Sequence, residues 1–284
     1  MIIIRTLPET GKTLSSLKMQ GKSTGLVPTM GALHMGHVSL LDHCRRENDI
    51  SIVSIFVNPK QFNDPKDLKR YPRNEEKDLE VLKKANCDIV FIPDLKTVYP
   101  EPDNRFFEFG NLDKVMEGSF RPGHFNGVAQ VVSRLFQIIE PDRAYFGEKD
   151  LQQLTIIKEM TRMLGLPVKI RACPTLREDD GLAMSSRNVF LNTEQRKNAA
   201  LINRTLQKAV EKTDMEVEEL KKWVTEAINR NPGLEVEYFE VVSVNDLQPL
   251  RQWCPGQQAA GCIAVRIGEI RLIDNIFFPN FVPS

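Results

Sequence analysis

Two histidines three residues apart, His34 and His37, stand in the segment Pro28-Thr29-Met30-Gly31-Ala32-Leu33-His34-Met35-Gly36-His37. The chain has four histidines in all, so half of them fall in one tetrad. The segment follows a strand expected at residues 23–27 and opens a helical pattern over 36–48. A helix N-terminus presents unpaired backbone N–H groups and partial positive charge, both of which favour phosphate. Gly31 and Gly36 let backbone approach a ligand closely. Residues three apart share a helix face, so the spacing predicts both imidazoles on one side of the first turn. There each can donate a hydrogen bond to a phosphate oxygen. Zinc is a weaker reading, because no cysteine or carboxylate adjoins the pair. A second phosphate-like motif, Gly21-Lys22-Ser23, is a decoy. A P-loop needs glycine where Ser16 stands, and needs its strand before the motif rather than after it. No GxGxxG occurs, which argues against a dinucleotide cofactor.

The elements that must position these residues alternate through the first 175 residues. Residues 50–57, ISIVSIFV, form a continuous β-branched apolar run, the pattern of a strand buried on both faces of a parallel sheet. Asn74 caps a predicted helix over 74–85, and residues 89–92 read as another buried strand. The stretch 101–125 has weak periodicity and a short strand is expected at 106–109. A helix is predicted over 128–139, a strand over 144–146 ending at Gly147, a helix capped by Asp150 and running to 164, and a strand over 168–172. The first residues, Met1-Ile2-Ile3-Ile4, read as an edge strand. Such βαβ repetition predicts a Rossmann-like, doubly wound parallel sheet, whose ligands sit beyond the carboxyl ends of the strands. The phosphate-seeking segment occupies such a strand end. After Pro174 the order changes to two polar helices, over 193–212 and 217–231, then strands over 236–242, 259–265 and 270–277. Helices followed by strands predict a separate, smaller α+β domain. The expected division is a domain of residues 1–175 that binds the ligands and a lid domain of residues 176–284.

Composition excludes several function classes. The 284 residues carry 38 Lys+Arg against 38 Asp+Glu, without the basic excess of a nucleic-acid binder. No apolar stretch reaches the length of a membrane helix, and the start lacks a signal-peptide pattern. Five cysteines without a CxxC pair fit free thiols in a reducing, cytoplasmic compartment.

HxGH after a first Rossmann-type strand resembles the nucleotidylyl-transferase superfamily, which includes the class I aminoacyl-tRNA synthetases. Three further segments narrow the resemblance: Phe56-Val57-Asn58-Pro59-Lys60-Gln61-Phe62, Phe146-Gly147-Glu148-Lys149-Asp150-Leu151-Gln152-Gln153, and Asp180-Gly181-Leu182-Ala183-Met184-Ser185-Ser186-Arg187-Asn188. With PTMGALHMGH, and in this order along the whole chain, they resemble the pantothenate synthetase (pantoate–β-alanine ligase) family. The chain departs from the family at Asp179, often proline there, and at Met35, which varies.

The resemblance implies an ATP-dependent ligase that joins pantoate to β-alanine through a pantoyl adenylate, releasing AMP and pyrophosphate. It implies that Met30 lies along the nucleotide, that His34 and His37 bind the phosphates and stabilise charge on the α-phosphate and departing pyrophosphate, and that these two histidines and Lys149 are the catalytic residues. His37 is a proton donor in the family, although hydrogen bonding to phosphate requires no net transfer and both roles stay open. Gly147, Glu148, Lys149, Asp150 and Leu176 are implied to contact ATP, with Lys149 suited to phosphate. Met184, Ser185, Ser186 and Arg187 resemble the mobile phosphate loop of the superfamily. Gln61 and Gln153 are implied to hold pantoate, Gln61 also lying near β-alanine. An amide can read hydroxyl and carboxylate oxygens without a charge strong enough to immobilise the nucleophile. Mg²⁺ is implied beside the triphosphate, with Asp78, otherwise an ordinary helix-surface acid, as its protein candidate. The family further implies a homodimer, formed through the first domain, acting on small molecules with neither nucleic acid nor membrane as partner.

Overall fold

The computed structural model describes residues 1–279. In chain order the elements are β1 (Ile2–Ile4), α1 (Leu7–Met19), β2 (Thr24–Thr29), α2 (Met35–Glu47), β3 (Ile50–Ile55), α3 (Pro65–Arg70), α4 (Glu75–Lys84), β4 (Ile89–Phe91), α5 (Leu95–Val98) and α6 (Glu117–Phe120). There follow α7 (His124–Ile139), β5 (Arg143–Gly147), α8 (Leu151–Met163), β6 (Lys169–Cys173), α9 (Thr193–Val210), α10 (Val217–Asn229), β7 (Leu234–Ser243), β8 (Ala259–Ile267) and β9 (Ile270–Phe278). The chain forms two compact units. The first comprises Met1–Gly110, Phe120–Glu148 and Gln153–Pro174; the second comprises Asn111–Ser119, Lys149–Gln152 and the chain from Thr175 onward. The division is therefore not a single cut: two short segments that precede residue 175 belong to the second unit.

The first unit is built on a six-stranded parallel sheet in the order β1-β4-β3-β2-β5-β6. Helices cover both faces, which is why Leu26, Val27, Ile52, Val53 and Val90 on the central strands are almost wholly buried. Each such side chain contributes about 1.5–3 kcal/mol of burial free energy. Strand β1 lies at the sheet's edge, with Ile2 and Ile3 exposed and Ile4 buried, as its short apolar run predicts. Chain order reverses between β2 and β5, and that switch point is where doubly wound sheets open a crevice. The segment Met30–His37 leaves the end of β2, and Gly147 ends β5.

The structure differs from the sequence reading at α1, at 106–109 and at the start of α7. Helix α1 is an element the hydrophobic pattern does not announce. Its start is nevertheless encoded: the Thr6 hydroxyl caps Glu9 N–H, Glu9 returns to the Thr6 N–H at 3.1 Å, and Pro8 lies in the first turn. Conversely, no strand forms at 106–109. The alternation is present, with Phe107 and Phe109 buried and stacked at 5.9 Å while Phe106 and Glu108 face outward. The ladder is missing because side chains of α7 take its backbone groups. Asn126 Oδ1 accepts from Phe107 N–H at 2.9 Å, and Gln130 Nε2 donates to the Arg105 carbonyl at 2.6 Å. Helix α7 also begins earlier than predicted, at His124.

The second unit is an antiparallel sheet, β7-β8-β9, with α9 and α10 packed on it. Val217, Leu220, Val224 and Ile228 form the buried stripe of α10, at helical spacing. A bulge in β7 between Val236 and Tyr238 leaves Glu237 unpaired in the ladder and redirects its side chain. Its carboxylate accepts from Arg266 Nε at 2.8 Å and Arg271 Nε at 2.6 Å. Arg271 also forms a two-pronged pair with Glu117, at 2.7 and 2.6 Å, and Tyr238 Oη donates to Glu117 at 2.8 Å. This network fastens residues 111–119 to the second unit. Removing one partner of a buried pair strands the other charge. Arg271→Met is therefore expected to destabilise the second unit by roughly 3–5 kcal/mol. Trp223 and Trp253, the chain's two tryptophans, both lie in this unit, so urea unfolding followed by tryptophan fluorescence measures the loss directly.

Candidate active site

His34 is the N-cap of α2, in extended conformation, and His37 is its third residue. His34 Nδ1 accepts the Gly36 N–H at 3.1 Å, and His37 Nδ1 accepts the His34 N–H at 3.3 Å. The imidazoles thus replace the Ser/Glu pair of an ordinary capping box. Their ring centroids lie 4.1 Å apart, tilted by 41°. Because each Nδ1 is an acceptor, each neutral ring carries its proton on Nε2. The result is a pair of Nε2–H donors at a helix start, at the carboxyl end of β2. Helical spacing put both rings on the helix; the structure makes one of them the cap.

The loop that leads into this cap is held from below by Asp78. Gly31 has φ +78° and Ala32 φ 50°, so two successive residues are left-handed. This turns their following N–H groups onto one carboxylate: Ala32 N–H donates to Asp78 Oδ2 at 3.0 Å and Leu33 N–H to Oδ1 at 2.7 Å. A Cβ at Gly31 would stand 2.8 Å from Asp78 Oδ2, so glycine is required by both conformation and space. Asp78 is buried on α4, whose N-cap Asn74 accepts Lys77 N–H at 3.0 Å. The expectation of a helix-surface acid is corrected here. The α4 face carrying Asp78 is covered by a loop 45 positions earlier in the chain. Met30, Gly31, Phe56, Arg73, Asn74 and Asp78 line a cleft of about 300 Å³ beyond these strand ends.

Gln61 ends a single 3₁₀ turn, Pro59–Gln61, capped by Asn58. It is buried, with Nε2 2.8 Å from the Met30 sulfur. Three groups fix this turn against α7. Asn58 Nδ2 donates to the Gly127 carbonyl at 3.0 Å, and His124 Nδ1 donates to the Gln61 carbonyl at 2.7 Å. At Gly127 a Cβ would lie 2.4 Å from the Lys60 carbonyl oxygen, so only glycine permits the helix to approach. His124 has the opposite tautomer to His34 and His37, since its Nε2 faces the Arg121 guanidinium at 3.3 Å, a group that can only donate. Asn58 stands in the motif over 56–62, whereas His124 and Gly127 lie outside every motif read from the sequence.

Gly147 ends β5, and a Cβ built on it meets nothing within 4 Å, so the backbone there borders open space. Glu148 closes that segment of the first unit, while Lys149 and Asp150 belong to the second. Lys149 is 17% exposed and lies 3.7 Å from the Asp150 carboxylate. Gln153, in α8, returns to the first unit and is half-buried. In the second unit, residues 176–184 form a tight hairpin: Met184 N–H donates to the Leu176 carbonyl at 3.0 Å and Arg177 bridges Ala183. Met184, Ser185, Ser186 and Arg187 follow, with Ser185 capping a 3₁₀ turn, Ser186–Phe190, through the Arg187 N–H at 3.3 Å. The structure thus gathers Met30, His34, His37, Gln61 and Asp78 around one loop in the first unit. Lys149, Asp150, Leu176 and Met184 to Arg187 belong to the second unit.

Asp78 carries two testable consequences. Asp78→Asn keeps the side chain's shape but turns an NH₂ toward one of the two loop amides. Hydrogen exchange at Ala32 and Leu33 is expected to accelerate roughly ten- to a hundredfold, the worth of a bond to a charged acceptor. Burial, outweighing the two amide bonds, also raises the Asp78 carboxyl above the ordinary value of 3.8. A carboxyl raised on folding binds its proton more tightly in the native state, so stability falls as pH rises from 3.8 through the folded value. A stability–pH profile should lose that slope in Asp78→Asn; an unchanged profile contradicts the assignment.

Known proteins give the same picture at the level of the whole chain. The family described as pantoate-beta-alanine ligase matches residues 2–277. The pantothenate synthetase of Porphyromonas gingivalis W83 is 53% identical over 281 residues, 99% of this chain and 100% of that protein. A crystal structure of the Thermus thermophilus enzyme superposes with TM-score 0.91 at 43% identity, covering 98% of this chain and 100% of that one. The Francisella tularensis pantoate-beta-alanine ligase, crystallised with beta-gamma ATP and beta-alanine, superposes with TM-score 0.80 at 35% identity, covering 97% of each chain. The chain belongs to the pantoate–β-alanine ligase family.

Proposed function

We infer that this protein condenses pantoate with β-alanine at the expense of ATP, through a pantoyl adenylate. A carboxylate does not accept an amine directly, so activation comes first. A pantoate carboxylate oxygen attacks the α-phosphorus, the α–β phosphoanhydride bond breaks, and pyrophosphate leaves. The β-alanine nitrogen then attacks the acyl carbon, AMP departs with the bonding electrons, and the amine's proton passes to solvent. The observation that carries this reading is the His34–His37 pair, its Nδ1 atoms locked by backbone N–H groups at the carboxyl end of β2.

Both Nε2–H groups are suited to donate to phosphate oxygens as charge moves toward pyrophosphate, a stabilisation that needs no proton transfer. His37 accordingly acts as a neutral hydrogen-bond donor. Lys149, Ser185, Ser186 and Arg187 serve the triphosphate, the guanidinium and ammonium by charge and the serines by hydroxyl and backbone groups. Gly147, Glu148, Asp150 and Leu176 serve the adenosine side, Gly147 because its backbone borders open space, while Met184 belongs to the loop that serves the triphosphate. Gln61 and Gln153 hold pantoate, and the buried Gln61 amide beside Met30 lies next to the loop that carries the phosphate donors. Mg²⁺ would be held chiefly by phosphate oxygens and water, the mode it prefers. Asp78 fits as its one protein carboxylate, since the two amide bonds leave lone pairs on both oxygens. When bound, the ion would neutralise charge on the triphosphate.

The family's membership supports a homodimer, measurable by light scattering as twice the mass of the chain. The five cysteines are free and four are buried, which suits a cytoplasmic setting. No helix among the described residues is long and apolar enough to cross a membrane.

The test is isotope exchange between ATP and labelled pyrophosphate, with Mg²⁺ and pantoate present and β-alanine left out. Exchange that requires pantoate is expected. Exchange supported instead by an amino acid, or absent from protein that binds ATP, overturns the reading. His37→Ala should lower the exchange rate by about 10²–10³-fold, the usual loss for a preorganised donor.

A further inference from the structure

The geometry points to Asp274 and Asn275 on β9 as a positioning pair that sets Lys149 and the Ser185–Arg187 turn in one rigid frame. Both side chains are buried, at 5% and 4% exposure. Asn275 Nδ2 donates to the backbone carbonyl of Lys149 at 2.9 Å. Asp274 accepts two bonds from the Arg177 guanidinium, at 2.7 and 3.0 Å, and one from the Asn275 N–H at 2.8 Å. Arg177 continues to the carbonyls of Asn275, at 3.3 Å, and Gly181, at 3.2 Å. Two adjacent residues of one strand therefore grip two segments far apart in sequence.

The grip passes to the reactive groups through short, stiff paths. Arg177 is bridged to Ala183 across the hairpin, and Asn188 Nδ2 ties the Ala183 carbonyl to the Glu178 carboxylate. Arg196 from α9 holds Glu178 at 2.6 Å and Asp180 at 3.0 Å, so the hairpin is clamped from both sides. Ser185 to Arg187 leave the end of that hairpin directly. Strand β9 is the stiff element: Asp274 and Asn275 sit opposite Ile263 and Cys262 in an unbroken ladder with β8. Gln152 works alongside, accepting from the Glu117 N–H at 3.0 Å and donating to the Leu112 and Val115 carbonyls at 2.7 and 2.8 Å. Lys149 is thus held through its own carbonyl by Asn275, and Gln152, three residues on, is tied to residues 112–117 of the same unit. The Asn275 bond fixes the backbone from which the Lys149 side chain springs, and misplacement of that root by a fraction of an ångström weakens the transition-state contact of the ammonium with phosphate.

This inference rests on the phosphate roles proposed for Lys149 and Arg187, and its experiment separates the two. A double-mutant cycle combines Asn275→Ala with Lys149→Ala, read by pantoate-dependent exchange kinetics and by calorimetric binding of Mg·ATP. Asn275→Ala alone is expected to raise KM for ATP and weaken Mg·ATP binding roughly five- to tenfold, the worth of one buried bond, with KM for pantoate unchanged. In the Lys149→Ala background it should have less than about a twofold further effect, because the residue acts through Lys149. Equal losses in both backgrounds, or a shift in pantoate KM, overturn the inference, as does Asn275→Ala with native ATP kinetics. Asn275→Asp, which keeps the shape and removes the donor, gives the same reading where the alanine variant does not fold. Absence of pantoate-dependent exchange in the unsubstituted protein overturns the functional reading instead, and the Mg·ATP binding cycle then still decides the role of Asn275.

Discussion

A buried carboxylate bonded to two consecutive backbone amides is the constraint on which the first unit's site depends. Asp78 accepts from Ala32 and Leu33, and these bonds offset the unfavourable left-handed conformation of Ala32. The loop then enters α2 at one angle only, with His34 as the cap and His37 closing back on it. Without that anchor, a loop containing Gly31 and Gly36 would have many conformations of similar free energy. The two imidazoles serve both as helix caps through Nδ1 and as sources of Nε2–H. Their structural bonds thereby choose the tautomer, with Nδ1 accepting and the proton on Nε2.

The Gln61 turn obeys the same logic from another direction. It has a single turn of helix and no ladder of its own, so its placement comes from α7. Asn58, His124 and Gly127 bring the turn and that helix into backbone contact. The neighbouring segment 101–109 is held by the same helix, through Asn126 and Gln130. One helix thus organises two irregular stretches whose backbone groups would otherwise be unpaired on its surface.

The second unit takes its rigidity from β9. Arg271, Asp274 and Asn275 lie within five residues of this strand and secure residues 111–119, the 176–184 hairpin and Lys149 respectively. The bulge at Glu237 supplies the second carboxylate that Arg271 requires, so its charge is met on both sides. Burial of this ion network favours a single arrangement, because each charge left unpaired would be costly.

Local sequence determined the elements whose signals are local. Apolar runs such as ISIVSIFV gave buried parallel strands, the spacing of α10 gave its stripe, and Asn74 gave a helix start. HxGH at a strand end marked the paired imidazoles, and the four ordered motifs identified the family. The Thr6–Glu9 box marks α1 just as locally, although apolar periodicity does not show it. What tertiary structure decided was where long-range partners lie. Asp78 looks like any acid on a charged helix, and only folding brings it beneath a loop 45 positions away. The alternation at 106–109 is strand-like, yet Asn126 and Gln130 capture its backbone first. Residues 111–119 and 149–152 belong to the second unit although their sequence neighbours belong to the first. Periodicity encodes which face of a segment seeks burial, but not which distant side chain will meet it.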